Sequence, residues 1–140
     1  MKNYDPTEIT VSFAGIVVQG YADGDFVTVV QEAENFTDVA GTDGEVSRSK
    51  TSDRRATVEF ILMQTSESNV LLSALANADL DSPNGAGVGA LYIRDRQGTS
   101  LYQADEAWIS KPPDVSFDRT PQPRKWTIRA AKLVRTDGGN

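Results

Sequence analysis

Cysteine and histidine are both missing from these 140 residues. Without cysteine there is no disulfide framework, no thiol nucleophile and no thiolate ligand for a metal. Without histidine the ordinary proton carrier near neutral pH is gone, and with it the commonest zinc ligand. Serine–histidine–aspartate, cysteine–histidine and two-histidine zinc chemistry are excluded together. Carboxylate, lysine and tyrosine chemistry remain, but the sequence nominates no pair of acids for hydrolysis. The expectation is a protein that is not an enzyme and uses no cofactor or metal. Positive charge is also in short supply. Lys and Arg number 14 against 20 Asp and Glu, a formal charge of −6 and a pI near 4.6. A general nucleic-acid binder needs the opposite balance. No run approaches the roughly 18 apolar residues of a membrane span, and "MKNYDPTEIT" has no apolar core of a signal peptide. Neither membrane nor export signal is expected, only a cytosol-like site of synthesis.

What is present is mostly strand-like. Ile9, Val11 and Phe13 alternate with Thr10 and Ser12, the period of a half-buried strand. Ala14-Gly15 breaks the pattern and "IVVQGY" resumes at once, a tight hairpin or a bulged bend. "ADGD" (Ala22–Asp25) is a second turn, and "FVTVVQ" (Phe26–Gln31) is a β-branched strand. "ATVEFILMQ" places Val58, Phe60 and Leu62 on one side and Thr57 and Glu59 on the other. "SESNVLLSALANA" changes period: Val70, Leu71, Ala74, Leu75 and Ala78 make an inward stripe of a helix capped by Ser66 or Ser68. "VGALYIRD" and "TSLYQADEAWI" form a hairpin that Pro112-Pro113 ends. "DVSFD" is a short edge candidate and "KWTIRAAKLV" the last strand, with Trp126, Ile128 and Ala130 inward. The tail "RTDGGN" is expected to be mobile. About seven strands and one helix predict a single mainly β domain, a small sandwich or partly open barrel with a flanking helix.

Several motifs have plain readings. "DLDSPNG" (Asp79–Gly85) misplaces the glycine of a calcium loop and ends in no acid, so it reads as a helix-ending turn. "NGAGVGA" (Asn84–Ala90) follows a helix where a phosphate loop would follow a strand. Tyr92, Tyr102, Trp108 and Trp126 alternate along strands and read as core or rim. One stretch resists this treatment. From about Asn35 to Arg55 the chain is long, polar and basic, with Arg48, Lys50, Arg54 and Arg55 interleaved with Asp43, Glu45 and Asp53. It reads as a long loop, and a compact domain seldom keeps one without use.

The ordered set "KNYDPTEITVSFAG", "GYADGDFVTV", "GTDGEVSRSK", "ATVEFILMQTSESNVLLSAL", "DRQGTSLYQADEAWI", "KPPDVSF" and "RKWTIRAAKL" resembles the tail tube proteins of contractile-tailed bacteriophages. The likeness spans nearly the whole chain and lies in the order of many pieces. It implies a fold like the tubes of type VI secretion systems and pyocins. It further implies hexameric rings stacked helically inside a sheath, between terminator and baseplate proteins, with DNA passing down the bore. Localisation would be the virion tail, assembled in the host bacterial cytoplasm.

On that resemblance the polar segment reaches the next ring. Phe36 and Val39 would anchor it, while Arg48, Lys50, Arg54 and Arg55, beside Asp43 and Glu45, would set register on a neighbour. Too poor in apolar residues to fold alone, it is expected to be mobile until assembled. With Ile9, Val11, Phe13, Val27, Val29, Val58, Phe60 and Leu62 inward, the residues Thr10, Ser12, Thr28, Glu32, Thr57 and Glu59 become candidates for a net-negative lumen that DNA slides past. Three other readings stay open: a tail terminator or baseplate hub element, a monomeric ligand-binding sandwich using Tyr92, Tyr102 and Trp108, and a carboxylate hydrolase.

Overall fold

The computed structural model describes all residues, Met1–Asn140. Ten strands and one helix follow a single 3-10 turn at Pro6–Glu8. They are β1 (Ile9–Phe13), β2 (Ile16–Val17), β3 (Val27–Gln31), β4 (Phe36–Ala40), β5 (Val46–Lys50), β6 (Ala56–Leu62), α1 (Ser68–Asp81), β7 (Gly89–Asp95), β8 (Leu101–Lys111), β9 (Arg124–Ala130) and β10 (Val134–Thr136). Eight strands form one open antiparallel sheet in the order β2-β1-β7-β8-β9-β6-β3, with β10 also on β8. The mainly β, partly open architecture expected from the sequence is the one observed.

Strict alternation builds the core. In β6 every second residue from Ala56 to Leu62 is buried, and in β9 the same holds from Arg124 to Ala130. The register sets Phe60 opposite Trp126 and Val58 opposite Ile128, so both strands present one apolar face. Val11, Phe13, Leu91 and Ile93 continue that face across β1 and β7. Ile9, Val27 and Val29 are half-buried against the same cluster. The Trp126 indole N–H donates to Asn69 Oδ1 at 2.9 Å, tying the sheet to the helix.

The helix turns differently from the predicted stripe. Leu72 is its buried anchor, Leu75 is half-buried, and Val70 and Leu71 are 71% and 52% exposed. Ala74 and Ala78 are exposed as well. Of the two serines offered as caps, Ser66 takes that part, its Oγ accepting the Ser68 N–H at 3.3 Å where the helix begins. Ser66 Oγ donates to the Gln19 carbonyl, Ser68 Oγ accepts the Gln19 N–H at 3.0 Å, and both hold the helix start to the chain after β2. "DVSFD" is not a strand, and Val115 and Phe117 stand exposed.

The tail is tied down, contrary to the mobile end expected. Beyond β10, Thr99 and Gly139 bond each other, and Ser100 Oγ donates to the Asn140 carbonyl at 2.8 Å. Asn140 Nδ2 in turn donates to the Asn3 carbonyl, so the two ends of the chain meet.

Only 21 of 140 residues are buried, and the surface is 9246 Å². A compact monomer of 15.2 kDa would expose about 7,100 Å². The excess of roughly 2,000 Å² includes parts that stand away from the sheet.

Candidate functional site

One such part is the stretch read as a loop. Between Phe36 and Lys50 it is a β-hairpin, β4 paired antiparallel with β5, forming a sheet of its own. Both strands are exposed along their full length. The turn closes because the Gly41 N–H reaches the Glu45 carbonyl at 2.8 Å and Asp43 Oδ1 accepts the Glu45 N–H. Gly44 there adopts φ +87°, open to glycine and strained for other residues. Asp43 and Glu45 are thus tip-forming residues. Strands of this length carry the tip about 17 Å from its base.

The hairpin's faces differ. Phe36, Asp38 and Ala40 lie opposite Lys50, Arg48 and Val46. The Arg48 guanidinium sits over the Phe36 ring, 4.2 Å from its centroid, a cation–π contact that rigidifies the base. Val39 is 68% and Val46 63% exposed, with no partner within the chain's core cluster. Arg55 is committed locally: its guanidinium grips Asp53 at 3.0 Å and holds that carboxyl below the ordinary range. Arg54 and Lys50 make no ion pair, and both line the cleft at the hairpin base with Asn35, Thr51 and Ser52. Val46 and Asp38 were missed by the sequence reading, because their place depends on the hairpin register.

The six lumen candidates share the face turned from the core, yet they form two groups. Thr28 lies opposite Glu59, and Glu59 opposite Thr127. The Thr57 hydroxyl donates to Glu32. Thr10 and Ser12 are separated from β6 by three intervening strands, opposite Arg94 and Tyr92. The expected net-negative character is not found. Lys125 Nζ is 3.2 Å from Glu59 Oε2, and Arg129 Nη2 is 4.0 Å from Glu32 Oε1. Each carboxylate meets a cation of β9, which the sequence reading placed on no face.

A third surface is the bare edge of β3. The Ile61 N–H bonds the Phe26 carbonyl and the Glu32 N–H the Arg55 carbonyl. In an antiparallel ladder, alternation then gives the even-numbered residues of β3 to β6 and turns the backbone groups of Val27, Val29 and Gln31 outward. No strand covers them.

At the far end, Arg135 holds Asp137 in a fork (2.9 and 3.1 Å), and the Tyr102 hydroxyl donates to the same carboxylate at 2.7 Å. Arg135 first, then Tyr102, hold the Asp137 carboxyl below its ordinary range. A depressed folded value means the clasp contributes fully above about pH 4 and is lost as pH falls below it. Amide protection of residues 134–139 is expected to drop at pH 3 relative to pH 6, while β6 stays protected. Arg135→Ala is expected to reproduce the loss at pH 6, read by hydrogen exchange.

A hairpin held clear of its own sheet, an uncovered edge strand and a surplus of surface describe a subunit built to meet copies. A family model described as "Bacteriophage PhiTE tail tube protein" matches residues 3–138. The chain belongs to this tail tube family. It is 32% identical over 147 residues to "Structural protein ORF10" of Pseudomonas phage KPP10, covering 99% of this chain and 84% of that protein. Its fold is similar to that in the cryo-EM structure of the anti-feeding prophage cap, described as the AFP tube terminating cap. That likeness has a TM-score of 0.65 at 10% identity, over 97% of this chain and 92% of the other. A tail tube family member is a structural component of the phage tail that assembles with itself and with other tail proteins.

Proposed function

We propose that this tail tube protein forms hexameric rings that stack helically into the inner tube of a contractile phage tail. Assembly takes place in the host cytoplasm, with the sheath outside and terminator and baseplate proteins at the ends. DNA leaves for the host cell through the bore. The work is mechanical and conductive, not catalytic. The observation that carries the reading is the hairpin β4–β5, whose every residue is exposed and whose strands belong to a separate sheet. Two different interfaces per subunit, one around a ring and one between rings, generate a filament. The excess surface of roughly 2,000 Å² is ample for interfaces of about 800 Å² per partner.

In this reading the outward backbone groups of Val27, Val29 and Gln31 pair with the neighbouring subunit around the ring, removing the free edge. Val39 and Val46 seat on the next ring, and Lys50 and Arg54 meet acidic groups there. Negative-stain microscopy of the purified protein at high concentration tests the assembly: hollow rods about 80–100 Å wide are expected. Gln31→Pro, which removes an outward N–H without touching the β3–β6 ladder, is expected to leave folded monomers. Rods formed by that variant would count against the β3 edge.

The face bearing Thr28, Thr57 and Glu59 then lines the bore. Its charges are paired within the chain, so a passing polyanion meets few fixed cations free to hold it. Glu59→Lys sets an unpaired cation beside Lys125, and assembled virions carrying it are expected to deliver DNA several-fold less efficiently. Delivery at the wild-type rate would move this face away from the bore. The likeness to a tube terminating cap brings in a second reading, a protein that closes the tube's end. Rings that never lengthen would select it.

A further inference from the structure

β9 turns its even-numbered residues inward, and three of them are Trp126, Ile128 and Ala130. The fourth is Arg124, 7% exposed and opposite Leu62 of β6. Its guanidinium belongs to none of the chain's ion pairs. Nη1 donates to the Gln122 carbonyl at 3.2 Å, and the Phe117 ring centroid lies 5.6 Å from Cζ. Nε and Nη2 are left without an acceptor. Neither is sealed in, because Tyr21 Oη and Asp95 Oδ2 are the only buried side-chain polar atoms that lack a partner.

Arg124 lines a cavity of about 360 Å³. It lies between the strap that follows β8, with Pro113, Val115 and Phe117, and the first turns of α1, with Asn69 and Ser73. No acidic residue lines it. Gln64, also on the wall, has its side-chain oxygen taken by the Gln122 N–H at 2.9 Å, which leaves its amide nitrogen as a further donor.

A buried guanidinium without a counter-charge is costly. The core has no need of one, since an apolar side chain of similar volume fills such a place as well or better. Elsewhere the chain shows what this edge of an arginine does. Arg55 closes Nε and Nη2 on Asp53, and Arg135 closes the same pair on Asp137. In Arg124 that fork is open.

We infer that this cavity binds a carboxylate on a short apolar stem, its two oxygens on Arg124 Nε and Nη2 and its stem against Val115 and Phe117. Three competitors fit worse. Phosphate brings a charge of about −1.5 to −2 near neutral pH, and a single cation faces it here. Chloride cannot use the geometry of the fork, which matches two carboxylate oxygens with parallel bonds. A neutral amide leaves the guanidinium charge unanswered.

Two sources present this chemistry: a free organic acid, or an Asp or Glu side chain of a neighbouring copy. Only the second rests on the tube reading. The first arm of the test titrates the unassembled subunit with sodium butyrate. It follows the Trp126 indole N–H, which bonds Asn69 at the cavity wall, with sodium chloride, butyramide and inorganic phosphate as controls. Saturable shifts from butyrate are expected, weakened about thirtyfold or more by Arg124→Met. Ser73→Glu keeps Arg124 and brings a carboxylate to the cavity from an exposed helix position. It is expected to abolish the shifts and to melt higher than Ser73→Gln, and it decides the matter should Arg124→Met not fold.

The second arm measures the protein concentration needed for rods in sodium butyrate against sodium chloride of equal ionic strength. A rise of severalfold in butyrate assigns the site to a neighbour's acid, and an unchanged value assigns it to a free one. No saturable shift with butyrate, equal shifts from chloride or butyramide, or tighter binding of phosphate would overturn the proposal, whatever the microscopy shows. A subunit that binds butyrate and never forms rods would keep this site and remove the tube reading.

Discussion

A chain in which residues 36–50 are replaced by a short glycine linker is expected to fold and to make no rods. The expectation rests on where the hairpin's stabilising contacts lie. Its ladder is internal, Phe36 to Lys50 through Ala40 to Val46, and none of its residues belongs to the core cluster. Removing it therefore leaves every buried side chain in place, and the melting temperature of the subunit is expected to change by no more than a few degrees. Assembly is another matter. Exposed Phe36, Val39 and Val46 are the large apolar side chains the hairpin has to offer, and a few residues carry most of the energy of an interface. Negative stain and sedimentation together read both halves of the prediction. Rods of normal length from the shortened chain would show that stacking uses other surfaces. A milder version, Val39→Asp with Val46→Asp, is expected to raise the concentration needed for polymerisation at least tenfold.

Trp126→Ala is expected to have the largest effect on the subunit itself. The indole is 2% exposed and is the bulkiest of the buried side chains. It faces Phe60 across the β6–β9 pair and reaches Asn69 of the helix. Truncating such a residue costs about 3–5 kcal/mol in lost burial and cavity formation, a fall in melting temperature of roughly 10–20 °C at this size. Trp126→Phe keeps most of the volume, loses the bond to Asn69 Oδ1, and is expected to cost about 1 kcal/mol. Both are best measured by thermal denaturation in the background lacking residues 36–50, where polymerisation does not mask folding. A fall of only a degree or two for the alanine variant would mean that the sheet and helix are not one cooperative unit.

The parts of the fold that were legible in the sequence are those where chemistry alternates strictly. Val58, Phe60 and Leu62, and Trp126, Ile128 and Ala130, could face only one way once their polar neighbours faced the other. The helix was found but turned wrongly. Val70, Leu71, Leu72, Ala74, Leu75, Ala76 and Ala78 are apolar on almost every side, so periodicity selects no face; the choice is made by Leu72 packing in the core. The hairpin was hidden because Phe36, Val39 and Val46 are too sparse among Thr, Ser, Asp and Arg to show a period. It needs only its ladder, the tip turn and the stack of Arg48 on Phe36. The pinned tail depends on Thr99, Ser100 and Tyr102, distant in sequence and brought close by the sheet. The same holds for the candidate bore: Glu59 was legible as outward-facing, but its partner Lys125 follows from the β6–β9 register alone. Arg124 fell just outside the last strand as read, and a buried charge without an ionic partner has no signature in a string of letters.

The surplus surface has a thermodynamic corollary. A tail tube subunit with only 21 residues buried is expected to gain stability from copies that bind the native form and not the unfolded one. By mass action its melting point is expected to climb with protein concentration and to settle at the lone subunit's own value on dilution.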